Sequence, residues 1–110
     1  MSFEVFLTAD AIRDIEELHQ YIARHDAPGK AQNVLTKIEG KFKSLSETPE
    51  RGVYPKELLA LGIREYREVF FKPYRLIYRI IGHRVYVLLI VDGRRDMQSL
   101  LERRLLENQQ

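Results

Sequence analysis

Arginine is the residue type through which this sequence could do chemistry. Arg75 and Arg79 fall on one face of a strand-like run, 74–81, with Ile77 between them. Arg67 precedes that run, and Arg94-Arg95 follow the next one. A guanidinium is a planar fork that stays protonated. It grips phosphates and carboxylates and can stabilise developing negative charge, but it rarely serves as a base. The charge is also concentrated. Residues 64–104 carry ten basic and five acidic side chains, although the whole chain is only +2. Nine of those ten are arginines, so an anionic partner fits: nucleic acid or an acidic protein segment. Internal alternatives stand beside it. Arg75 and Arg79 could bridge across strands to Glu65 or Glu68, and Arg94-Arg95 could be an exposed turn.

Other chemistries find little support. There is no cysteine, so disulfides and thiolate metal sites are excluded, which fits a reducing cytoplasm. His19, His25 and His83 are far apart and show no HxxxH spacing; His19 reads as a packed helix residue and His83 as a turn residue. Glu16-Glu17 are adjacent on a helix, about 100° apart, and read as a solvated face. None of the six glycines opens a helix after a strand in GxGxxG spacing, and no serine has an evident base. The expectation is a protein that works without cofactor or metal. The longest apolar run, 85–91, is strand-sized, and the N-terminus lacks the basic start of a signal peptide, so neither a membrane span nor export is expected.

The elements that must position these arginines can be read from periodicity. Phe3, Val5 and Leu7 alternate with Ser2, Glu4 and Phe6, giving a short strand. Thr8 or Asp10 can cap a helix over 9–25, with Ile12, Ile15, Leu18, His19 and Ile22 on one side and Arg13, Asp14, Glu16 and Glu17 on the other. Asp26 can cap a second helix over 28–46, with Pro28 in its first turn. That helix stops before Pro49. After a loop with room for one helical turn at 57–61 come three strand patterns, 64–71, 74–81 and 84–91, the last two joined by a Gly82-His83 turn. Asp96 opens a final helix in which Leu100, Leu101 and Leu105 form a narrow stripe. If exposed, that stripe could dock on a large protein; the alternatives are self-burial and dimerisation. The order β-α-α-β-β-β-α over 1–110 predicts one α+β domain: a largely antiparallel sheet with a helical hairpin on one face. Leu76, Tyr78, Ile80, Val85, Val87, Leu89 and Val91 are expected to face that hairpin.

The runs Arg64-Glu65-Tyr66-Arg67, Tyr74-Arg75-Leu76-Ile77-Tyr78-Arg79 and 85–91 leading into Asp92-Gly93-Arg94-Arg95-Asp96 resemble the C-terminal half of RelE/ParE family toxins. Upstream, Ala9-Asp10, Ile12, Ile15 and Tyr21-Ile22-Ala23 are similar to the family's first helix, and Thr48-Pro49-Glu50-Arg51-Gly52 to its helix-to-sheet turn. The resemblance implies a growth-inhibiting, plasmid-stabilising toxin neutralised by a co-encoded antitoxin, reaching operator DNA only through that antitoxin, with a homodimer possible. RelE-like members cleave mRNA on the ribosome; ParE-like members inhibit DNA gyrase.

Arg67, Arg75 and Arg95 fall where RelE-like ribonucleases keep basic residues. Val69 stands where those enzymes carry a second catalytic lysine, and Leu101 where a tyrosine is common. Without them, general acid–base help at the 2′-hydroxyl or the leaving oxygen is hard to assign. Gly93-Arg94-Arg95-Asp96 followed by Leu100-Leu101 resembles the ParE branch, with Asp92 departing from a common histidine. The sequence therefore points to a ParE-like gyrase inhibitor, with a ribosome-dependent mRNA endoribonuclease as the alternative. Arg75, Arg79, Arg94, Arg95, Leu100, Leu101 and Leu105 are the expected antitoxin- or target-binding residues.

Overall fold

A computed structural model describes residues 2–107, apart from the side chains of Pro28, Leu106 and Glu107. Strand β1 is Glu4–Leu7, and Thr8 then starts helix α1, Ala9–His25, accepting the Ala11 N–H on its hydroxyl at 3.2 Å. Helix α2 is Pro28–Glu47. Asp26 does not cap it, contrary to expectation. The restriction that Pro28 places on the residue before it holds Ala27 extended, and Ala27 takes the capping position without a side-chain bond. Asp26 instead closes α1, its N–H donating to the Ile22 carbonyl. A single 3-10 turn, Pro49–Arg51, and a one-turn helix α3, Lys56–Leu59, lead to the remaining strands.

Strands β2 (Arg67–Phe71), β3 (Tyr74–Ile81) and β4 (Arg84–Asp92) form an antiparallel meander. β1 joins the outer side of β4 in parallel, so the sheet order is β1-β4-β3-β2. β2 starts three residues later than the sequence pattern suggests, because Tyr66 turns into a core cluster instead of pairing. Helix α4, Met97–Leu101, is capped by the Asp96 carboxylate and runs into a π-helical turn, Glu102–Glu107.

Both faces of the sheet are covered, which corrects the expectation of one covered face. Helices α1 and α2 bury Ala11, Ile38 and Leu45 against Leu76, Tyr78, Val85, Val87 and Ile90. On the far face Leu58, Met97, Leu100, Leu101 and Leu105 cluster with Tyr66, Ile77, Leu89 and Val91. A bulge makes this division possible. Tyr78 lies opposite Val87 but Ile77 opposite Leu89, so Leu88 is an extra residue in β4. The strand's alternation slips by one at that point. Val85 and Val87 face the hairpin as expected, but Leu89 and Val91 face away and Ile90 takes their place.

Tyr78 ties the sheet to the turn after α2. Its hydroxyl donates to the Pro49 carbonyl and accepts the Gly52 N–H at 3.1 Å. A Cβ on Gly52 would collide with that hydroxyl and come within 2.9 Å of the Glu68 carbonyl. Gly52→Ala should therefore lower stability by about 1–3 kcal/mol through overpacking. A thermal melt within a degree of the wild type would refute this.

Candidate functional site

The arginines that the sequence singles out separate into paired and open ones. Arg75 sits on the far face of β3, and its side chain is only 9% exposed. Its Nε donates to Glu68 at 2.6 Å, and its two terminal nitrogens fork onto Glu57 of α3 at 2.8 and 2.9 Å. This is a bidentate charge-assisted pair plus a third bond, so the guanidinium is saturated from inside the protein. The Arg75 fork holds the Glu57 carboxyl below the usual carboxylate range. Glu68 makes only the single bond and is more deeply buried, and desolvation pushes it up. Gly93 is what lets the Arg75 stem pass, since a Cβ there would lie 2.6 Å from its Cδ.

Arg79 reaches Glu65 at 3.5 Å and lies 5.9 Å over the Tyr66 ring, with its side chain 39% exposed. Arg67 donates to the carbonyls of Glu50 and Gly52 and stacks 4.8 Å over Tyr54, stitching the post-α2 loop to β2. Arg94 folds back onto Asp92, whose carboxyl it holds below its ordinary value. Arg95 is exposed, and its guanidinium makes no hydrogen bond or ion pair among the described residues, acting on Asp92 only at longer range. The three arginines expected for a ribonuclease, Arg67, Arg75 and Arg95, are thus one loop clamp, one buried ion pair and one open cation. Leu100, Leu101 and Leu105 are 5%, 1% and 4% exposed. The expected docking stripe is corrected accordingly: it forms the lid of the far-face core, where each leucine contributes about 1.5–3 kcal/mol of burial.

Arg95 opens instead onto a groove of about 600 Å³ between α1 and the end of β4. Leu18, Tyr21 and His25 line it from α1, Ile90 and Val91 from β4, with Tyr74, Arg94 and Arg95 beside them and the carboxylates of Asp14, Glu17, Asp26 and Asp92 also in the lining. The groove exists because β1 is shorter than β4. β1 pairs only with 84–87, leaving the outer edge of 88–92 without a strand. Asp14 and Arg104 cover the start of that gap. The Ile90 N–H donates to the Asp14 carboxylate at 3.0 Å, and Arg104 pairs with Asp14 while reaching the Leu88 carbonyl at 3.4 Å. Tyr21 remains 61% exposed and stacks on His25 with ring centroids 4.1 Å apart. Sequence reasoning placed Asp14 on the solvated side of α1. Its spacing from Ala11 and Leu18 puts it on the inner stripe, and that was the available signal. Glu57, Tyr21 and His25 carried no such signal.

A four-stranded sheet with one parallel edge, a helical hairpin on one face, a short C-terminal helix on the other and an arginine-rimmed groove describes a toxin domain of the RelE/ParE superfamily. Residues 5–97 match the family model described as "ParE toxin of type II toxin-antitoxin system, parDE", and the chain belongs to that family. It is similar to Toxin ParE3 of Caulobacter vibrioides, 28% identical over 97 residues, covering 88% of this chain and 93% of that one. Among solved structures it resembles the chromosomal ParDE system from P. aeruginosa, with a TM-score of 0.69 at 19% identity over 83% of this chain and 96% of that one. It also resembles the toxin–antitoxin complex RelBE2 from Mycobacterium tuberculosis, with a TM-score of 0.59 at 25% identity over 84% and 99%.

Proposed function

We propose that this chain is the growth-inhibiting half of a toxin–antitoxin pair, acting in the cytoplasm by binding DNA gyrase and held inactive by an antitoxin segment seated between α1 and β4. The family match over residues 5–97 carries the toxin reading. The chemistry of the arginines supports a binding role over RNA cleavage. Arg75 is saturated by Glu57 and Glu68. Val69 and Leu101, at the two positions where proton-transfer groups would be expected, pack into the two cores. RNA cleavage by 2′-hydroxyl attack needs a base and an acid, each contributing about 10²–10⁴-fold.

The antitoxin reading rests on the groove. Leu18, Tyr21, Ile90 and Val91 suit the apolar side chains of an extended or helical segment, and Arg95 suits a carboxylate on it. Tyr21→Ala and Arg95→Ala should each weaken antitoxin binding by at least about tenfold in calorimetry. Arg79→Ala, distant from the groove lining, should change it little. Unchanged affinity in both groove variants would sink the placement. For the target, the deciding experiment pairs a supercoiling assay on purified gyrase with primer extension on translating ribosomes. Inhibited supercoiling with intact mRNA is expected. Codon-specific mRNA cleavage with supercoiling untouched would establish the endoribonuclease reading and make Arg95 the first residue to test.

A further inference from the structure

The far face of the sheet is only half covered by α3 and α4. Toward the β3–β4 turn, two cross-strand rows remain in the open. One runs Glu4, Arg84, Ile81; the other runs Phe6, Tyr86, Arg79. None of these belongs to either core cluster. Phe6 is 39% exposed and Ile81 50%, while Arg84 is exposed. The Phe6 and Tyr86 rings stack on each other at 5.6 Å and 22°, and the Arg84 guanidinium lies 5.7 Å from the Phe6 ring centre. Large apolar side chains on an open sheet face, braced by one another and flanked by guanidiniums, have the composition of a protein-binding hot spot.

We propose that this patch is the surface through which the toxin grips its target protein, at a site on that protein presenting carboxylates around an apolar side chain. The inference rests on the toxin reading above and goes beyond it in assigning target contact to a surface separate from the antitoxin groove. Charge complementarity selects the occupant. Arg84 has no carboxylate within ion-pair distance among the described residues, and Arg79 has only the exposed Glu65 at 3.5 Å. Arg84 bonds the Tyr86 side chain and lies across from Glu4 without forming an ion pair, so both exposed cations can exchange these weak contacts for incoming acids. The orientation of the rings argues against single-stranded nucleic acid, which binds by stacking bases on open ring faces. Here Phe6 and Tyr86 stack on each other and Arg84 lies near the Phe6 ring. Carboxylates meet the flanking guanidiniums instead, and an apolar side chain meets the rings.

The test uses the full chain with Arg84→Gln and, separately, Phe6→Ala, each confirmed as folded by a cooperative thermal melt. Each variant should lose growth arrest on induction. Each should raise the concentration for half-inhibition of gyrase supercoiling by at least about tenfold, while antitoxin affinity stays within twofold of wild type. Folded variants that arrest growth like the wild type would overturn the surface, whatever the target is. Growth arrest by the wild type with supercoiling untouched would overturn the gyrase reading alone, and the variants' growth would still decide the surface. A wild type that leaves growth unaffected would overturn both. Ultraviolet cross-linking of the wild type to single-stranded RNA, abolished by Arg84→Gln, would overturn the choice of a protein partner.

Discussion

Arg75→Ala should lower the stability of the protein by about 3–5 kcal/mol, the usual result of removing one partner from a buried ion pair. The substitution would leave Glu57 and Glu68 facing each other with side chains only 13% and 4% exposed. It would also empty the space beside Gly93 and release α3 from the sheet. Urea denaturation at neutral pH measures it, and a loss below about 1 kcal/mol, in the range of an exposed pair, would show the triad to be unimportant. Glu57→Gln should approach the arginine deletion because it breaks the fork. Glu68→Gln should cost much less, since the amide oxygen can still accept from Nε.

The pH dependence separates the two carboxylates. Glu57, depressed by the Arg75 fork, contributes stability that is present above the ordinary value of 4.5 and is lost as pH falls through its native pKa. Glu68 runs the other way. Burial raises its native pKa above 4.5, so the folded state holds its proton more tightly than the unfolded chain does. Stability then falls as pH rises through that window, and Glu68→Gln should abolish this fall.

Asp14→Ala should lower stability by about 3 kcal/mol and loosen one region selectively. Asp14 is 6% exposed and serves two donors, the Ile90 N–H and Arg104. Removing it leaves an edge amide of β4 and a guanidinium, 19% exposed, without their acceptor. Hydrogen exchange should show faster exchange at Ile90 and across 97–105, with the amides of β3 little changed. Asp14→Asn keeps an acceptor for the Ile90 amide but not the charge, so about half the loss should return. Uniform acceleration over the whole sheet would mean that Asp14 supports the fold globally and not the C-terminal segment in particular.

The elements were legible from sequence because each carries a strong local period. The stripes of α1 and α2, the alternation of β3 and the Gly82-His83 turn are properties of neighbours in the chain. What sequence patterning missed is non-local. Nothing in 85–91 announces that Leu88 is an extra residue, because the run is apolar throughout and has no alternation to break. The same uniformity hid that β4 contributes to two cores, and hence that Leu100, Leu101 and Leu105 had a face to cover. The arginines were found by type, but their roles depended on partners. Glu68 lies on the neighbouring strand and was weighed as an alternative; Glu57 lies in a loop helix and was not. Asp14 and Arg104 are joined only by the geometry of a strand edge that β1 leaves uncovered.

The parallel pairing of β1 with β4 has a consequence for how the protein is made. Glu4 waits for Arg84, and Asp14 for Arg104. At a synthesis rate of about 5–20 residues per second, the amino-terminal strand and the helical hairpin spend seconds outside the ribosome with their apolar faces unmatched. The hairpin can form locally, but the antiparallel strands that it packs on leave the tunnel after it. The strand that carries Arg84 and Tyr86, and the Arg94-Arg95 segment after it, are translated later than the hairpin. The order of synthesis therefore acts as a delay: the helical hairpin is made well before the sheet face that covers it, and the face around Arg84 and Tyr86 takes shape only once β4 has joined β1.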